Sequence, residues 1–312
     1  MTPASPSRLR LGTRGSSLAL AQARMMAARL RELHPGLEAE EVVIRTRGDE
    51  LVDSPLHQLG GKGLFVKEIE EALLGGRIDA AVHSLKDLPG ELPPGLVLGA
   101  VPEREEPWDV LVSRGGESIR NLAPGSRVGT SSLRRRAQLL RYRKDLEVVD
   151  LRGNVDTRLR KVAEGQVHAA ILAAAGLNRL GLGERATEAL APEVMLPAVA
   201  QGALGIETRE GDAETLALLA ALEHLPTRQA VEAERRAMAV LEGGCKVPMA
   251  AFAELRRGRL RLRALVASLD GERLAEAEGE DAPERASALG EEVARRILAA
   301  GGRDILSEIE RA

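Results

Sequence analysis

The sequence predicts an α/β fold: two α/β lobes around a cleft, and a small α+β C-terminal domain with a three-stranded antiparallel sheet. Three observations predict it. Strand-like and helix-like runs alternate from Arg8 onward, break at a proline-rich turn and start again. Two segments, Pro102–Pro107 and the stretch LPAVAQGALGIETR, read as crossings between lobes. After residue 220 the order changes to αβββα, which suits an antiparallel sheet with helices on it. The expected boundaries are 1–102 with 202–220 for the first lobe, 103–201 for the second and 221–312 for the C-terminal domain.

In the first lobe RLRLGT reads as a strand, and SLALAQARMMAARLRELHPG as a helix stopped at Pro35-Gly36. EVVIRT is a strand, GLFVKEIEEALLGG a helix closed by glycines, and DAAVHSL a strand before the turn LPGELPPG. In the second lobe SRVGTSS is a strand leading into the helix LRRRAQLLRYR, LEVVDLRG a strand and VDTRLRKVAEG a helix. AAILAAAGL fits a buried strand or an apolar helix equally by periodicity. GALGIET is a strand after the return crossing. RQAVEAERRAMAVLEGG is then a helix with a glycine stop. MAAFAEL, RLRLRALVAS and RLAEAEGE are strands joined by the tight turns RRG and LDGE, and APERASALGEEVARRILAAGG is the closing helix.

Composition narrows the function classes. The chain has 312 residues, 44% hydrophobic and 29% charged, so large cores are possible, and with 1% aromatics they are built from Leu, Val, Ile and Ala. A net charge of -3 argues against a general nucleic-acid binder. No apolar run of about 18 residues suggests a membrane span. One cysteine forms no internal disulfide and fits a reducing, cytoplasmic setting. The N-terminus, MTPASPSRLRLGT, reaches a strand too early to hold a leader. His34, His57, His83, His168 and His224 do not cluster at metal spacing, so no metal is expected.

The arginines say more. Eight lie between Arg134 and Arg160, against the acidic residues Asp145, Glu147, Asp150 and Asp156. Arg134 and Arg135 follow the serines Ser131 and Ser132 where a strand turns into a helix; Arg152 follows a strand, and Arg158 sits in the first turn of the next helix. Loops after strands are where α/β folds bind ligands, and arginine there favours bidentate capture of carboxylate or phosphate. Arg136, Arg141 and Arg143 read as a solvated helix face. Arg14 and Ser16 hold the equivalent strand-to-helix position in the first lobe. Lys62, in GGKGLFVKE, stands in a glycine-rich turn able to hold an anion, without the spacing of a Walker motif. Lys86 and Asp87, in AVHSLKDLP, close an apolar strand. A carboxylate among cations can stabilise a developing positive charge or move a proton, and Lys86 offers a cation for carboxylates or a Schiff-base amine. A ligand bearing several carboxylates fits this layout. Cys245, in LEGGCKVP, reads by itself as a small buried hydrophobe.

Taken together, TRGSSLAL, TRGD, GGKGLFVKE, AVHSLKDLP, VGTSSLRRR, LRGNVDTRL, AAGLNRLGL, LPAVAQGALGIE and LEGGCKVP run in order along nearly the whole chain and resemble the porphobilinogen deaminase (hydroxymethylbilane synthase) family. The resemblance implies periplasmic-binding-protein-like lobes and a transferase of tetrapyrrole and heme biosynthesis. It would join four porphobilinogen units head to tail, release ammonia and yield hydroxymethylbilane. It implies a dipyrromethane cofactor on a thioether to Cys245, and Asp87 as the catalytic residue. It also implies cofactor contacts from Lys86, Asp87, Ser131, Ser132, Arg134, Arg135, Arg158 and Ser16. Substrate contacts would come from Arg14, Ser16, Lys62, Arg152, Arg158, Arg179 and Gln201, the last at a hinge. It implies a cytoplasmic monomer that passes its product to the next tetrapyrrole-pathway enzyme, with no membrane and no nucleic acid. Three positions depart from the pattern. Gln58 stands where some relatives carry lysine, Ala200 where glycine is common, and Arg136 beside the arginine pair. The competing reading is a two-lobed binding protein for a small polycarboxylate, which leaves the C-terminal cysteine loop unexplained.

Overall fold

The computed structural model describes residues 8–46, 66–241 and 247–311. By internal contacts the chain divides into two units: residues up to Arg104 with Ala203–Arg228, and Glu105–Gly202 with Gln229 onward.

The first unit holds a five-stranded sheet of order β2-β1-β3-β10-β4, with β1 (Arg8–Thr13), β2 (Glu38–Val43), β3 (Ala80–Ser84), β4 (Leu96–Ala100) and β10 (Leu204–Arg209). Strands β2, β1 and β3 run parallel, and β10 runs antiparallel to both its neighbours. Helix α1 (Ser17–Leu33) covers one face through Ala23, Met26 and Leu30 against Leu9, Leu11 and Ile206. Helix α2 (Lys67–Leu74) covers the other through Ile69 and Leu73 against Ile78 and Ala81. Neighbouring strand residues thus serve opposite cores, as the two-residue side-chain period requires. One expectation shifts: the strand read from EVVIRT pairs instead over Glu38–Val43. As an edge strand it keeps only Ala39 buried, and Glu40 instead meets Arg8 across the ladder.

The second unit repeats the plan. Its sheet has the order β7-β6-β8-β5-β9, from β5 (Asp109–Ser113), β6 (Arg127–Gly129), β7 (Glu147–Val149), β8 (Ala169–Ala173) and β9 (Glu188–Ala189). Here β7, β6 and β8 are parallel, and β5 is antiparallel to β8. Helices α3 (Leu133–Tyr142), α4 (Val155–Ala163) and α5 (Ala174–Arg179) follow β6, β7 and β8. The ambiguous AAILAAAGL is both elements in turn: Ala169–Ala173 pairs with β5 and Ala174–Arg179 is helix.

Helix α6 (Ala213–Leu219) packs in the first unit, and α7 (Leu225–Val240) leads to β11 (Met249–Arg256), β12 (Arg259–Ala267) and β13 (Leu274–Asp281), which form the antiparallel sheet. The β11–β12 turn is a two-residue loop with Arg257 at φ 50° and Gly258 at φ 77°, the mirror-image turn that matches strand twist. The β12–β13 connection is longer than the tight turn expected: six residues separate the paired Ala267 and Leu274. Helices α8 (Ala286–Ile297) and α9 (Arg303–Arg311) close the chain. The C-terminal sheet groups with the second sheet because Ala250, Phe252 and Leu265 pack on Leu196 and Trp108, with the Trp108 and Phe252 rings 4.9 Å apart. No described helix is long and apolar enough to cross a membrane.

Candidate active site

In the first unit the loops after β1 and β3 emerge side by side, because the strands pair in parallel through Leu11↔Ala80 and Gly12↔Ala81. Ser16 caps α1, its Oγ accepting from the Ala19 amide at 3.3 Å. Arg14, just before the cap, is half-buried. After β3 the chain makes a single 3₁₀ turn, Leu85–Asp87. Leu85 and Leu88 are buried on either side of it, and the Leu85 amide donates to the Ala203 carbonyl at 3.0 Å. The two leucines pin the turn and leave Lys86 and Asp87 exposed. The Gln22 amide fixes the approach by donating to Ser84 Oγ at 2.9 Å.

In the second unit Ser131, Ser132, Arg134, Arg135, Arg152 and Arg158 follow the carboxyl ends of β6 and β7, and Arg179 ends the helix after β8. Ser131 Oγ donates to the Leu151 carbonyl at 3.1 Å and ties two of these loops together, and Ser132 caps α3 by accepting from the Arg135 amide at 3.4 Å. Asn154 caps α4, accepting from Thr157 at 2.9 Å. Arg152 and Arg158 are half-buried, with Arg152 at 4.0 Å from Asp150. Arg179, at the end of α5, donates to the Gly202 carbonyl at 2.6 Å, while its Nε is buried without a hydrogen-bond partner among the described residues. Burial pulls its guanidinium down to about 10, with Glu105 opposing.

Arg134 and Arg135 are not the open, loop-borne cations their position suggested. Both are only 6% exposed and both pair with Asp109, the wholly buried first residue of β5. Burial by itself raises the Asp109 carboxyl; the two guanidiniums overcome it and hold the group well below the usual carboxylate range. Gln201 is also buried, its amide nitrogen donating to the Pro107 carbonyl at 2.7 Å and to Asp109 at 3.1 Å. Next to it Gly202 has φ +88°, and a Cβ there would lie 2.3 Å from the Glu105 carbonyl oxygen, so only glycine lets the two crossing segments touch. Of the arginines read as a solvated face, Arg136 and Arg141 are exposed. Arg143 instead ties down a loop, donating to the Ile119, Arg120 and Leu122 carbonyls at 2.9 Å each.

Lys62, Cys245 and the departure at Gln58 lie outside the described residues. Asp109 was missed by sequence reasoning. Its signal was a carboxylate opening the apolar run VLV directly after Trp108, where a charge survives only if paired. Among the described residues no group of three or more His, Cys, Asp or Glu side chains is placed to hold a metal ion. Taken separately, each unit has cations close to its strand ends that can hold carboxylates, and the first also exposes the Asp87 carboxylate beside Lys86.

Comparison with known proteins points the same way. A family model described as porphobilinogen deaminase, dipyromethane cofactor binding domain, matches residues 9–217, and one described as porphobilinogen deaminase, C-terminal domain, matches residues 228–299. The chain is 52% identical over 304 residues to the porphobilinogen deaminase of Syntrophobacter fumaroxidans, covering 97% of this chain and 98% of the relative. It is 54% identical over 299 residues to that of Desulforudis audaxviator, covering 96% and 97%. Among solved structures, the methionine-binding protein MetQ aligns with a TM-score of 0.45 at 17% identity, over 70% of this chain and 90% of MetQ.

Proposed function

The chain belongs to the porphobilinogen deaminase family, and from that premise we propose that it joins four porphobilinogen units head to tail, with loss of ammonia, into hydroxymethylbilane, on a dipyrromethane primer held by Cys245. The observation that carries the reading is the set of cations at parallel strand ends. A pyrrole chain of this kind brings two carboxylates per ring, and Arg134 and Arg179 put buried or half-buried positive charge near those ends, where Arg134 and Arg135 together face the single carboxylate of Asp109. The residues present therefore fit the group. When bound, the dipyrromethane would supply the free pyrrole carbon to which the first incoming unit is joined.

The chain's own residues do the rest. Arg14, Ser16, Lys62, Arg152, Arg158 and Arg179 bind acetate and propionate groups and so fix ring orientation, converting an encounter into a positioned reaction. Ser131, Ser132 and Lys86 complete the cofactor's polar contacts, and Gln201 sets the return crossing. Asp87, exposed on a turn pinned by Leu85 and Leu88, accepts pyrrole N–H groups at its carboxylate. It offsets positive charge on the incoming unit as ammonia leaves, and takes up and returns protons there. The same reading places the enzyme in the cytoplasm as a monomer that releases its product to the next enzyme of the pathway.

The intact mass of the purified, denatured chain tests this. We expect an excess over the sequence mass equal to one dipyrromethane, lost in Cys245→Ser. An unmodified mass that stays unmodified after incubation with porphobilinogen overturns the reading in favour of a binding protein.

A further inference from the structure

The two neighbouring arginines of α3 are bonded in different ways. Arg135 is engaged at all three guanidinium nitrogens: Nε and Nη2 donate to Asp109 Oδ1 at 3.1 and 2.7 Å, and Nη1 donates to the Ile171 carbonyl at 2.8 Å. Arg134 makes both of its bonds through Nη1 alone, to Asp109 Oδ2 at 2.7 Å and to the Leu196 carbonyl at 2.7 Å. Its Nε–Nη2 edge, the one that takes a carboxylate in bidentate fashion, bonds none of the described residues. The charges do not balance either. Two guanidiniums face one carboxylate, and neither forms an ion pair with any other acidic group among the described residues. Buried cations are normally paired, and one positive charge here is left over.

We propose that Asp109 is a positioning residue: braced by Arg135 and Gln201, it grips Arg134 by Nη1 and presents the other edge of that guanidinium to one carboxylate of the bound pyrrole chain. The inference rests on the functional reading above and deepens it, because it separates two adjacent arginines that the sequence treats alike. Arg134 meets the ligand; Arg135 is the brace. Asp109 Oδ1 takes Arg135 and Gln201 and Oδ2 takes Arg134, so all four of its hydrogen bonds serve to fix the direction of one side chain. Helix α3 adds to the effect. Its cap at Ser132 sets the register that brings both arginines onto the buried side of the first turn.

The test compares Arg134→Lys, Arg135→Lys and Asp109→Asn by intact mass, by KM and kcat for porphobilinogen, and by thermal unfolding. Arg134→Lys keeps the charge against Asp109 and lacks the forked edge. We expect it to unfold within a few degrees of the parent and to carry the dipyrromethane increment at least tenfold less often. Arg135→Lys is expected to unfold at lower temperature yet, wherever it folds, to carry the increment several-fold more often than Arg134→Lys. Asp109→Asn is expected to lose occupancy, with KM raised about tenfold in the molecules that remain loaded. Full occupancy in Arg134→Lys, or equal losses in the two lysine variants, overturns the proposal while leaving the enzyme's function intact. A parent chain that never gains mass from porphobilinogen overturns the functional reading and the proposal together.

Discussion

The two α/β units use one device where their central parallel strands end and finish it differently. In each, the strand paired in parallel to both neighbours, β1 or β6, runs out through a Gly-Thr pair, Gly12-Thr13 at the end of β1 and Gly129-Thr130 across the end of β6, and a serine caps the helix that follows: Ser16 over α1 and Ser132 over α3. In the first unit the charged groups near that end stay at the surface, with Arg14 half-buried and Lys86 and Asp87 exposed. In the second, Arg134 and Arg135 turn inward and are held by Asp109. The difference teaches a division of labour. A group that must exchange a proton needs contact with substrate and solvent and cannot be locked in an ion pair. A group that must only offer charge works best when it is fixed and partly desolvated, where each interaction is stronger.

The largest effect that follows is at Asp87. Asp87→Asn removes the carboxylate from an exposed turn whose shape is set by Leu85 and Leu88. Turnover of porphobilinogen is expected to fall by about 10³-fold, within the range typical of a lost acid–base group. The unfolding temperature is expected to stay within about 1 °C, as for surface substitutions. Steady-state turnover beside calorimetry checks both. A large drop in unfolding temperature would break the comparison, because it would make Asp87 a structural charge like those of the second unit.

That contrast was only partly legible in the sequence. Both sheets are covered on two faces, so their strands read as apolar runs and their helices as periodic ones, and glycine and proline marked the ends. The exception was β2, where pairing with β1 selected the polar EAEEVV over the more apolar EVVIRT. The positions of the site arginines were legible as well, since they follow strands. Their burial was not. The partner of Arg134 and Arg135 lies 25 and 26 residues away on a strand that inserts next to β8. Nothing local in LRRR distinguishes the inward pair from the exposed Arg136. Sequence spacing gives the face of a helix, and the tertiary partner decides which guanidinium is spent.

Acid sharpens the comparison at intermediate size. The folded-state pKa of Asp109 is depressed, so its stabilising contribution is present above the ordinary carboxylate value of about 3.9 and is lost as pH falls through the lower folded value. Asp79 in the first unit has the same sign: burial raises its carboxyl, but Arg10 and Arg209 more than offset this. Asp79 keeps 17% of its side chain exposed against none for Asp109, so solvent screens it more. Thermal unfolding is therefore expected to lose stability below about pH 4. Asp109→Asn should flatten more of that acid limb than Asp79→Asn. Equal slopes in the two variants would mean that the buried cluster is no more strongly coupled than the half-exposed one.

The smallest effect lies where the chain returns from the second unit to the first. Ala200 has φ 56°, the left-handed region that glycine enters without penalty, and it is wholly buried. An L-residue there costs about 1–2 kcal/mol. Glycine would remove that cost but release more backbone entropy in the unfolded chain, worth about 0.4–1 kcal/mol. The two terms leave Ala200→Gly more stable by roughly 0.5 kcal/mol. The amide of residue 200 keeps its bond to the buried Glu234 carboxylate in either case, since the side chain takes no part in it. That carboxylate also accepts from the Ala253 amide at 2.8 Å, so the crossing is anchored to β11 rather than held by local conformation. Calorimetry is expected to show a rise of about 1–2 °C, with turnover unchanged. A fall in stability would show that the anchor imposes no strain on Ala200. A rise in turnover would show that stiffness at the crossing, and not the charged edges of the two units, limits the rate.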